Sequence, residues 1–134
     1  MKGERKMTNA FYVKYGDITT FGMMPIEKSN FLNTLYEEIG CSLVDAVTTT
    51  VTVNEKEVPV TVWVDDEGLY KPGNIAVKYK NELVLLGNIV VTGDVDSKGD
   101  TILFDDERED YKNIFKALVE TFIDNAEVIG YVKE

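Results

Sequence analysis

The sequence predicts an α+β domain: an antiparallel β-sheet with two main α-helices packed on one of its faces. Three observations predict it. The centre of the chain, residues 42–93, is rich in Val and Thr, whose branched Cβ suits a pleated sheet. On each side of that centre the apolar spacing switches to a helical one. A hydrophobic fraction of 44% over 134 residues supplies one buried core and leaves little room for a second domain.

Residues 1–9 read as a tail that begins MKGERKM, with Met7 as an alternative start. It lacks the apolar stretch of a signal peptide, and no run approaches the roughly 18 apolar residues of a membrane span, so a cytoplasmic location is expected. In AFYVKY (10–15), Phe11, Val13 and Tyr15 alternate with Tyr12 and Lys14, as a strand requires. Gly16-Asp17 turns it, and ITTFGMM (18–24) returns as far as Pro25. Phe31, Leu32, Leu35 and Ile39 then mark a helix over 28–39, with Ser29 as N-cap and Gly40 at its end.

SLVDAVTTTVTVN (42–54) and VPVTVWV (58–64) should form a hairpin, with Pro59 near a strand start or edge. Lys71-Pro72-Gly73-Asn74 breaks the chain, and IAVKY (75–79) fits a short helix or a strand. ELVLLG and NIVVTG (82–93) read as a pair of buried strands with a bend at Gly87. Asp106-Glu107-Arg108-Glu109 has the form of a capping box, and Tyr111, Ile114, Phe115, Leu118, Val119 and Phe122 give a helical stripe to about residue 123. EVIGYV (127–132) closes the chain as a last strand.

Composition removes several chemistries. The chain has no His and one Cys, so Ser-His-Asp and Cys-His catalysis, imidazole-ligated metals and an internal disulfide are all excluded. Cys41 reads as a small buried hydrophobe. The 24 acidic residues outnumber 14 basic ones, for a net charge of −10. Such a surface repels nucleic acid and attracts basic proteins, although net charge also serves plain solubility.

The acids come in groups at 37–38, 65–67, 94–100 and 105–110. DVDSKGDTILFD (94–105) approaches the calcium-loop template at Asp94, Asp96 and Gly99. Lys98 stands where an oxygen ligand belongs, Asp105 is shorter than the bidentate Glu, and the flanks are strand-like, so a hairpin turn is expected. VWVDDEGLY (62–70) sets three acids at a strand end, and its Trp63 faces opposite to Val60 and Val62, either exposed or beneath a helix. In DDERED (105–110) negative charge complements a helix N-terminus. The candidate binding residues are therefore Trp63, Asp65, Asp66, Glu67, Asp94, Asp96, Asp105 and Asp106. No catalytic residue, metal or cofactor is expected. Acids sharing one face would imitate a track of phosphates.

The ordered set EEIGC (37–41), VWVDDEGL (62–69), PGNIA (72–76) and LLGNIVVTG (85–93) resembles the domain of unknown function 3846 family. The resemblance covers residues 26–106, leaving the N-terminal strands and residues 107–134 as additions to that core. It implies a phage, plasmid or other mobile-element context and brings no catalytic or ligand residues with it. The expected function is a non-enzymatic binding protein, an anti-CRISPR-like inhibitor that engages a basic nucleic-acid-binding partner such as a host nuclease. The alternative is a protein that sequesters a nucleotide or other small molecule around Lys71, Asn74 and Lys78. A third reading, a carboxylate-metal enzyme, would rest on Asp65 and Asp66.

Overall fold

The computed structural model describes residues 8–80, 83–107 and 109–133. Among the described residues, nine strands and two α-helices follow in the order β1 (Thr8–Lys14), β2 (Thr20–Pro25), α1 (Phe31–Ile39), β3 (Val44–Val53), β4 (Lys56–Asp65), β5 (Ile75–Tyr79), β6 (Leu83–Leu86), β7 (Ile89–Gly93), β8 (Phe104–Asp105), α2 (Tyr111–Asn125) and β9 (Ala126–Tyr131). Thr8 and Asn9, assigned to the tail from sequence, are the first residues of β1; residues 1–7 lie outside the described residues.

The central sheet runs β2-β1-β7-β4-β3, with β8 added beside the start of β1, and a smaller sheet runs β6-β5-β9. All described pairings are antiparallel. The α+β class holds, but the helices do not share a face. α1 covers one side of the central sheet, where Leu35 and Ile39 pack with Ala10, Met24, Ile26 and Val90. α2 and the small sheet cover the other, where Ile114, Leu118, Phe122, Tyr79 and Leu85 meet Phe11, Val13, Val60, Val62 and Val91. The alternation of apolar residues on both faces of β1 and β7 requires this second cover.

The β3–β4 hairpin turns through Asn54 and Glu55, both at positive φ, a two-residue turn whose twist matches that of the strands. Val53 and Lys56 close it, so hydrogen-bonded pairs alternate from there and Pro59 opposite Thr50 is a non-bonded pair. On its other side β7 has already ended, at Gly93 opposite Val60, and the missing N–H of Pro59 leaves no gap in the ladder. On the open edge of β3, Lys80 Nζ donates to Thr50 O at 2.7 Å, which blunts an otherwise bare strand.

IAVKY resolves as strand β5. LVLL and IVVTG are not a pair: Gly87, at φ +83°, carries the chain out of the small sheet and into the central one. Ser29 lies within a 3-10 turn, and α1 starts one residue later from Asn30. Pairing of Phe104–Asp105 with β1 keeps the chain extended there, and α2 starts at Tyr111 from Asp110 rather than from a cap at Asp106.

Leu118 is fully buried on the sheet-facing side of α2, whereas Leu32 is 50% exposed on α1. In urea denaturation Leu118→Ala should destabilise the fold by about 2–5 kcal/mol, from lost transfer energy plus the cavity left behind. Leu32→Ala should stay within about 0.5 kcal/mol of wild type.

Candidate functional site

Two connections between the sheets, residues 66–74 from β4 to β5 and residues 87–88 from β6 to β7, meet at the side chain of Asn74. Its Nδ2 donates to Gly68 O at 3.1 Å, fixing the turn after β4 to the start of β5. Its Oδ1 lies against Gly87, where a Cβ would come within 2.7 Å of it, and Gly87 N donates to Ile75 O at 2.8 Å. Asn88 then accepts from Tyr15 N through Oδ1 at 2.8 Å, tying the joint to the end of β1. DEG and PGN at the two ends of the β4–β5 connection and LLGN after it thus form one joint.

Beside it opens a cleft of about 390 Å³ walled by Tyr15 and Asp17 from the β1–β2 turn, Gly73 and Asn74, Gly87 and Asn88, and Tyr131 of β9. Asp17 is the one residue of charged type in its walls among the described residues. Burial pushes the Tyr15 phenol up to about 12. The cleft therefore presents amides, backbone and phenols but offers a phosphate no cation. Of the sequence-expected trio Lys71, Asn74 and Lys78, only Asn74 is in its wall: Lys71 is paired with Asp65 and donates to Gly40 O at 3.1 Å, and Lys78 is exposed on β5.

The family model described as a domain of unknown function (DUF3846) matches residues 17–116. The chain belongs to this family. The match reaches beyond 26–106 on both sides, taking in β2 and the start of α2 as far as Lys116. No curated protein and no solved structure matches the chain. The joint and most of the cleft wall fall inside the DUF3846 match, with Tyr15, Gly16 and Tyr131 outside it.

The eight candidate binding residues are not brought together. Trp63 lies beneath α1, its ring edge-on to Phe31 at 5.2 Å and its Nε1 donating to Thr92 Oγ1 at 2.9 Å. Asp65 is buried, paired with Lys71 and accepting from Glu67 N at 2.9 Å, so it closes the turn rather than facing outward. Burial first, then the Asp65 charge, pushes the neighbouring Cys41 thiol up and away from its nucleophilic form. Asp66 and Glu67 are exposed at that same end, and Glu38 joins them through its ion pair with Lys14 at 3.3 Å.

Register places the remaining acids elsewhere. β7 runs against β4, with Trp63 opposite Val90 and Val60 opposite Gly93, so residues 94–100 leave the sheet at the end where β4 starts. Thr8 opposite Asp105 brings the second group to the same end. Five residues of β4 separate the two ends, about 17 Å at the strand rise. The four groups thus form two patches rather than one track. Within the 94–100 loop, Asp96 Oδ1 accepts from Lys98 N and Asp100 N at 2.8 and 3.0 Å, and Val95 bridges Thr101. The loop is a hairpin turn built on an Asp, without the flanking helices of a calcium loop.

Two outcomes test this joint. Asn74→Ala should cost about 0.5–1.5 kcal/mol by removing one of the two hydrogen bonds that Gly68 O accepts, the other coming from Lys71 N, and Gly87→Ala about 1 kcal/mol or more because of its positive φ. In the double variant the penalties should add to less than their sum, since the amide that obstructs the new methyl is gone; a thermal-melt double-mutant cycle reads this. Tyr79, like Tyr15, is pushed up to about 12 by burial, from an ordinary value of 10.0. A raised folded value means stability that is whole below pH 10 and is lost as pH climbs towards 12. Phenolate absorbance should show Tyr15 and Tyr79, and with them Tyr111, which burial also pushes up, titrating late, together with alkaline unfolding.

Proposed function

We propose that this chain is a non-catalytic binding protein that engages a basic protein through the sheet end formed by residues 94–110. Charge segregation carries the reading. Those 17 residues contain eight carboxylates against Lys98 and Arg108, and so hold six of the ten net negative charges. Register gathers them at one end of the sheet, and at about 17 Å the other acidic end lies beyond the roughly 8 Å screening length of physiological salt. A patch of this kind attracts cationic surface and steers its approach. The phage and plasmid context that the family resemblance implies makes a host nucleic-acid-binding protein, a nuclease among them, the partner class. Carboxylates would then stand where phosphates bind. A second reading rests on the cleft at the Asn74 joint, which would suit a polar ligand without phosphate; a thermal shift with neutral nucleosides but not with nucleotides would favour it.

Asp94→Asn, Asp96→Asn and Asp100→Asn together remove three charges while keeping an Oδ1 acceptor at each turn position. Pull-down from host lysate with the native chain should retain proteins of basic pI, and retention should fall with rising salt and fall strongly with the triple variant. Equal capture by the native and triple-variant chains would sink the proposal.

A further inference from the structure

Next to the acidic end the core is open. A groove of about 220 Å³ runs between the far end of the β3–β4 hairpin and the base of the 94–103 loop, lined by Val51, Val53, Val58, Ile102, Phe104 and Ile114 among others. Its floor is true core, since Val51, Phe104 and Ile114 are each buried. Its mouth is exposed apolar surface at Pro59 and Ile102. The loop base is held against β7 by Gly93 N donating to Ile102 O at 2.8 Å and Ile102 N donating to Asp94 O at 2.9 Å. Gly93 permits that approach, because a Cβ there would meet Ile102 O at 2.9 Å. The wall of the groove is thus anchored backbone, and the opening is built into the fold.

Size and surroundings select the occupant. The volume falls below the roughly 300–1,000 Å³ of small-molecule pockets and suits one or two side chains. Asp94 is the only charged residue in the lining among the described residues. Asp110 stands one turn before Ile114, so a second carboxylate lies close to the groove on the α2 side. An apolar slot edged by carboxylates complements an apolar side chain carried between cations. A second copy of the chain would bring six like charges to the same edge and is disfavoured.

We infer that this groove anchors one apolar side chain of a Lys- or Arg-rich segment in the partner protein. The inference rests on the acidic-end reading and adds the apolar contact that charge alone does not supply: charge sets the encounter, and the buried side chain sets the residence time.

The probe is a short peptide alternating Lys and Ser around one central Leu, compared with the same peptide carrying Ser in place of Leu. The native chain should bind the Leu peptide about tenfold or more tightly, the effect of burying one Leu. The methyl resonances of Ile102 and Ile114 should shift, while those of Ile18 and Ile129, which lie outside the groove, should not. Val58→Phe, which fills the mouth, should reduce the Leu peptide to the level of the Ser peptide and leave the latter unchanged. If both peptides bind the native chain equally, or Ile114 does not respond, the groove inference fails and the acidic-end reading stands. If neither binds at low salt, both fail. Shifts of Ile102 and Ile114 that depend on protein concentration without peptide would assign the groove to a second copy and overturn the inference.

Discussion

Burial of β7 on both faces and along both edges is the constraint on which the rest of the structure depends. The strand lies between β1 and β4, and all five of its residues are buried. Val90 points to the α1 side, and Ile89 and Val91 to the α2 side. A short run of apolar residues with no alternation is what such a position asks for, and it forces a cover on each face. The one polar side chain in the strand, Thr92, is satisfied by accepting from Trp63 Nε1 and donating to Gly93 O at 3.1 Å. With both sides of the central sheet closed, function is left to its two ends and to the seam between the sheets.

That seam accounts for the Gly- and Asn-containing motifs DEG, PGN and LLGN. The glycines and asparagines of DEG, PGN and LLGN are required by backbone geometry and by one amide that serves both connections. Asp65 belongs to the same economy: in a run of three acids it is the one that turns inward to Lys71, while Asp66 and Glu67 stay in solvent. A pattern that invites a metal or proton-transfer reading is, at this position, the closure of a turn. The adjacent cleft inherits its walls from the joint, which gives it polarity without positive charge.

The division of acids between two ends follows from strand direction alone. A pair of antiparallel neighbours sends the exit of one strand and the exit of the next to opposite ends, so DDE after β4 and DVDSKGD after β7 cannot meet. Two separated patches make imitation of a long phosphate track unnecessary to the proposed binding. They favour a local contact, in which one acidic end works with the apolar groove beside it.

The sequence by itself determined the class, most strand and helix positions, the hairpin at Asn54, the end of α1 at Gly40, the turn at Asp96 and the family. Each is legible because its cause is local: alternation, helical spacing, or a residue that tolerates positive φ. The tertiary structure alone decided that the helices lie on opposite faces, that β6 and β7 belong to different sheets, that Trp63 is covered by α1, and that Asp65 faces inward. It also decided where the acids gather and that a groove opens beside them. These depend on pairing between residues tens of positions apart, such as Thr8 with Asp105 or Val60 with Gly93. Periodicity states which residues share a side of a strand; only the register between strands states which strands, and which ends, become neighbours.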